Sequence, residues 1–136
     1  MIKLKSILEN LRSDADDYYY HVTLALYLSS IKKYGLKIKT PNATVSNYKD
    51  YSKGKIFLCD SGNLNWWIDK IAEHAFHQFD NEYYHNLAIF KILKSNLRNV
   101  KLDRIGYDDS LGGSYYITND IPPSDIEFVK IEYSPY

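Results

Sequence analysis

The chain is poor in the residues that staple or interrupt a fold. One cysteine, Cys59, stands among 136 residues, so no disulfide can form within the chain and a reducing compartment is the expected home. Prolines number four and glycines six, which excludes collagen-like and linker-like composition. No apolar run approaches the ~18–20 residues that cross a bilayer as a helix, so no membrane association is expected. The opening Met1-Ile2-Lys3-Leu4-Lys5 alternates charge with apolar residues and lacks a secretory apolar core. Basic and acidic residues number 17 each. That zero balance disfavours a non-specific nucleic-acid binder, whose affinity rests on neutralising phosphates. The expectation is a single globular domain, residues 1–136, in the cytoplasm.

Aromatic residues are plentiful by contrast: 14 Tyr, two Trp and five Phe. Tyr and Trp combine a large contact area, few rotatable bonds and a polar tip, which suits a binding surface as well as a core. The charges fall in blocks of alternating sign. Residues 32–55 hold seven Lys against one Asp, and residues 60–85 hold five acids against Lys70. Residues 91–104 are basic again and residues 108–132 acidic. Blocks placed on different faces would steer a charged partner.

Hydrophobic spacing predicts the elements. Ile2, Leu4, Ile7, Leu8 and Leu11 suggest an opening helix. Ser13 then caps a longer helix, with Asp14, Asp16 and Asp17 in its first turn and the stripe Tyr20, Leu24, Tyr27, Leu28, Ile31 and Tyr34 along one face. Lys32 and Lys33 sit in its last turn, and Gly35 takes the position after its end. Leu36 and Ile38 suggest a short strand, residues 42–54 a loop, and Lys55 to Cys59 a buried strand. Leu64, Trp67, Ile68, Ile71, Ala72, Ala75, Phe76 and Phe79 mark a second long helix. A third is expected from about Glu82 to Leu97, apolar over more than half its circumference. Strands are expected around Val100 and Leu102, from Ser114 to Thr118 and from Ile126 to Tyr133, with a loop over residues 107–113. Helices followed by a meander predict an α+β fold, three to four helices packed on a small antiparallel sheet of three to five short strands.

Candidate chemistry concentrates on the histidines. Glu73, His74, His77, Asp80, Glu82 and His85 form the densest polar cluster, and imidazole and carboxylate groups a helical turn apart are what a zinc or iron site requires. The pattern is incomplete. Glu82 and His85 make one Glu-x-x-His pair where carboxylate-bridged di-iron bundles use two. His74 and His77 lack the i, i+4 spacing of zinc proteases. No metal and no cofactor is expected. His21-Val22-Thr23 resembles one half of the His-x-Thr motif of two-histidine phosphoesterases, whose paired imidazoles act as acid and base at a phosphodiester. The second half is missing, and the motif requires a strand where the stripe predicts a helix. In a strand, His21 and Thr23 would share a face.

Gly112 and Gly113 could present N–H groups to an anion, but no P-loop lysine follows and Asp108 and Asp109 would repel phosphate. Cys59 closes an apolar run with no basic neighbour, as a structural thiol does. Trp66 is placed opposite the buried face of its helix, in a stripe with Lys70, Glu73 and His77. It needs a cover, either the loop carrying Tyr48 and Tyr51 or a partner.

No catalytic constellation is complete, so the expectation is a non-enzymatic protein that binds and blocks or adapts a protein partner, in the manner of immunity proteins and phage anti-defence inhibitors. Its binding residues would be Trp66, Lys70, Glu73 and His77. The alternative is a small phosphodiesterase or metal-dependent hydrolase using His21, Thr23, His74, His77 and His85. A third reading is a nucleotide or other small-ligand binder, with tyrosines stacking on a base.

Overall fold

The computed structural model of the chain describes residues 17–38, 54–103 and 113–134. The expected opening helix, the Ser13 cap and the loops over residues 42–53 and 107–112 lie outside them, as do Tyr48 and Tyr51. The described residues form six strands, β1 (Tyr18–Leu24), β2 (Ile56–Cys59), β3 (Leu87–Leu93), β4 (Lys101–Leu102), β5 (Ser114–Ile117) and β6 (Glu127–Glu132). Two α-helices accompany them, α1 (Leu28–Tyr34) and α2 (Leu64–Gln78). The strands make one sheet in the order β4-β5-β2-β1-β3-β6, with every neighbouring pair antiparallel. The expected architecture of three to four helices on three to five short strands is therefore corrected. The sheet is larger, and the described residues hold two α-helices.

Two segments account for that correction. Tyr18–Leu24 was expected inside the first long helix, because Tyr20 and Leu24 are four apart. A spacing of four also returns to the same face of a strand, so it does not discriminate. Composition does: three tyrosines, a valine and a threonine in seven residues favour a pleated, half-buried surface. After Leu24 a single 3₁₀ turn at Ala25–Tyr27 leads into α1. Leu87–Leu93, expected in a third helix, is an apolar run that periodicity cannot assign to helix or strand. It is the strand between β1 and β6, covered on both faces from Leu87 to Phe90, with six of its seven positions apolar. Only a 3₁₀ turn, Glu82–His85, precedes it. Leu36 is likewise no strand; it makes an isolated bridge with Ile121.

Side-chain alternation along the strands divides the core into two layers. On one face Val22, Leu24, Cys59, Leu87 and Ile89 pack under α2 through Trp67, Ile71, Ala72 and Ala75. On the other, Ile56, Leu58, Ala88, Phe90, Ile92 and Ile117 pack against Ile31 of α1 and against Leu36 and Ile121. Gly35 joins α1 to that second layer. Its N–H donates to the Ile31 carbonyl at 2.8 Å, its φ is +78°, and a Cβ there would fall 2.1 Å from the Ile121 oxygen, so only glycine fits.

The sheet's other half is tied by polar groups. The Trp67 indole N–H donates to the Ser114 hydroxyl at 3.0 Å, and that hydroxyl donates to the Asp103 carboxylate at 2.8 Å. The Gly113 N–H, one of the two considered for an external anion, donates to the Asp60 carboxylate at 2.6 Å. Asp60 also accepts from the Asn63 N–H at 3.1 Å at the entrance to α2.

Candidate functional site

The geometry of interest is a seam that fails to close. β1 pairs with β3 through seven consecutive residue pairs, from Tyr18 with Leu93 to Leu24 with Leu87. On its other side β1 meets β2 at one pair only, Tyr20 with Cys59. Beyond that pair the strands separate. The gap between them holds a cavity of about 360 Å³, within the size range of small-ligand sites.

Residues from both core layers line it, so it passes between the strands. From the α2 side come Trp67, Ile71, His74 and Gln78, and from the α1 side Tyr27, Ser30, Ile31 and Lys37. The walls are His21 and Thr23 on β1 and Lys55, Ile56, Phe57 and Leu58 on and beside β2.

His21 organises this gap. Its Nδ1–H donates to the Phe57 carbonyl at 2.7 Å. An imidazole side chain thus spans the place where a backbone ladder bond would otherwise join β1 to β2. Burial pushes its pKa down from the ordinary 6.5, and the hydrogen bond to Phe57 opposes that shift without cancelling it. The ring is consequently neutral at pH 7, with the proton on Nδ1. Nε2 is left as a basic lone pair with no hydrogen-bond partner among the described residues. Thr23 lies two residues on, on the same face of the strand, as His-x-Thr spacing in a strand requires.

His74 lines the cavity from α2, and its pKa is also lowered, first by burial and then by the nearby His77. The structure thus gathers His21, Thr23 and His74 of the proposed catalytic set. It does not bring in the other two. His77 is exposed on α2 and does not line the cavity. His85 is 4% exposed, donates from Nε2 to the Phe79 carbonyl at 2.6 Å and has no partner at Nδ1. Among the described residues no three His, Cys, Asp or Glu side chains converge as a metal site. Cys59 also faces the cavity, but burial and the adjacent Asp60 charge push its thiol far above the thiolate range, which leaves it unreactive.

The stripe proposed for binding has a different character. Trp66 is half-buried, its ring edge-on to Trp67 with centroids 5.1 Å apart. The Lys70 ammonium lies 5.9 Å from the centre of the Trp66 ring and 3.8 Å from the Glu73 carboxylate. The cover that Trp66 needs is therefore supplied in part by its own helix. The cavity itself had no direct signature in the sequence, because it depends on how far β1 and β2 pair, which a local pattern does not report. The signal that could have found it was His21-Val22-Thr23, once placed in a strand.

No protein-family model matches the sequence, and no curated protein resembles it significantly. Among the described residues no helix is long and apolar enough to cross a membrane.

Proposed function

We propose that the chain binds a small ligand with an aromatic ring, of the nucleotide class, in the gap between β1 and β2. The observation that supports this reading is the seam itself: one residue pair, then a cavity of about 360 Å³ with His21 set across it. The cavity offers apolar walls with a few convergent polar groups, the usual make-up of a ligand site. Tyr27 and Phe57 supply ring faces, the His21 Nε2 accepts a hydrogen bond, the Thr23 hydroxyl donates or accepts, and Lys55 and Lys37, the latter also paired with Asp120 at 3.7 Å, stand at the wall.

The test is a melting-temperature screen with purine and pyrimidine nucleosides and their mono-, di- and triphosphates. A ligand at ~100 times its dissociation constant stabilises the native state by ~2.7 kcal/mol, a rise on the order of 10 °C for a domain of this size. The shift should vanish in Thr23→Val. If no nucleoside or nucleotide at ~1 mM moves the transition, corresponding to binding weaker than about −4 kcal/mol, the reading fails.

A second reading is the protein-partner one, a blocker or adaptor acting through Trp66, Lys70, Glu73 and His77. What favours it is that Glu73 and His77 are exposed while Trp66 is held in one orientation by Trp67 and Lys70. A fixed aromatic ringed by charge has the form of an interface anchor.

A further inference from the structure

The exposed apolar side chains of the molecule are unevenly distributed. Leu24, Leu87 and Glu132 pair in one row across β1, β3 and β6. The segments beyond that row therefore leave the sheet together at one end. The Ala25 N–H donates to the Asn86 carbonyl at 2.8 Å, which ties two of them. Leu26, Tyr27, Tyr83, Tyr84 and Tyr133 stand on these segments and Phe76 on the last turn of α2, all exposed. Tyr83 and Tyr133 are 75% and 76% exposed, the most open large apolar groups among the described residues. The rings interlock: Phe79 lies 5.5 Å from Tyr84, and Tyr84 lies 5.4 Å from Tyr83. Water faces an aromatic surface that the described residues do not cover, and such patches mark interaction sites.

The charge around the patch says what covers it. From Ile71 to Phe90 the chain carries Glu73, Asp80 and Glu82 and no lysine or arginine. Asp80 and Glu82 are exposed beside the rings, and among the described residues neither forms an ion pair. Tyrosine faces beside unpaired carboxylates attract guanidinium and ammonium groups, through the ring quadrupole and through charge. They repel phosphate, so nucleic acid is disfavoured.

We propose that this end of the sheet docks a basic protein segment, arginine or lysine alternating with an apolar anchor. This goes beyond both readings above and gives the chain a partner surface separate from the cavity and from the Trp66 stripe. The test is fluorescence anisotropy with the full chain, using a short labelled peptide of arginine, leucine and serine and its counterpart with glutamate for arginine. The arginine peptide should bind the wild type about tenfold or more tightly than the glutamate peptide. It should lose about tenfold in Tyr83→Ala/Tyr133→Ala and again in Asp80→Lys/Glu82→Lys. All four residues are exposed, so these variants keep the fold. Trp66→Ala and Thr23→Val should bind as the wild type does. Binding as tight as the wild type's by either double variant, or no binding of the arginine peptide at ~1 mM, overturns the proposal. A loss confined to Trp66→Ala also overturns it, and would support the α2 stripe in its place.

Discussion

The two seams of β1 are made by one strand and do opposite things. Toward β3 it is laddered over its whole length, and the β3 side chains are buried on both faces from Leu87 to Phe90. Toward β2 it makes one pair and then diverges, with an imidazole in place of the ladder. The backbone groups of a strand must be satisfied on both edges, and the two edges show two solutions. One is continuous pairing, which leaves no room. The other is a single side-chain bridge, which leaves a cavity. The difference is between a seam that holds the molecule together and one that is available to a ligand.

The comparison is tested hardest at Phe90, in the closed seam opposite His21 and 1% exposed. Phe90→Ala should cost about 3–5 kcal/mol, the range for emptying a buried aromatic site. Urea denaturation reads that as a large fall in midpoint, or as failure to fold. His21→Ala acts on the open seam, deleting the one hydrogen bond from the imidazole to the Phe57 carbonyl. The expected loss is about 1–3 kcal/mol, and the variant stays folded. If His21→Ala were as damaging as Phe90→Ala, the two seams would be equally structural and the comparison would break.

The smallest effect is on pH dependence. Burial holds His21 below its ordinary value in the folded state, and His74 shifts in the same direction. Near pH 6 the unfolded chain therefore binds more protons than the folded one. Stability then falls as the solution is acidified below about pH 6.5, and levels off once the folded-state pKa has been passed. Urea midpoints taken between about pH 7.5 and pH 5.5 should show this slope in the wild type and a shallower one in His21→Gln. An unchanged slope in the variant would remove His21 from the account.

Much of the architecture was legible where a single period was unambiguous. The stripe from Leu64 to Phe79 could only be helical, and α2 occupies Leu64–Gln78. Short apolar or alternating runs bounded by turn residues predicted strands that occur at Ile56–Cys59, Ser114–Ile117 and Glu127–Glu132. Gly35 was placed at the end of its helix for the reason the structure gives. The neighbouring strands β1 and β3 were not legible. Tyr20 and Leu24 share a face in either geometry, and β3 is buried on both faces from Leu87 to Phe90, so neither pattern distinguishes helix from strand. That error carried into the site. With β1 read as a helix, His21 and Thr23 had no common face and His74 no reason to approach them. The remaining candidates sit where local patterns put them, Trp66, Lys70 and Glu73 along α2 and His77 on its last turn, since one helix requires no long-range information.

The sheet order also has a consequence in time. β1 is made early, and its full-length partner β3 is made late, since Leu24 waits for Leu87 and Tyr18 for Leu93. At ~5–20 residues per second on the ribosome, β1 spends on the order of several seconds as a tyrosine-rich strand with neither edge filled. Closure must await a distant segment, which makes assembly of the sheet slow compared with folding of α2. Over that interval its unfilled edges are open to capture by a chaperone.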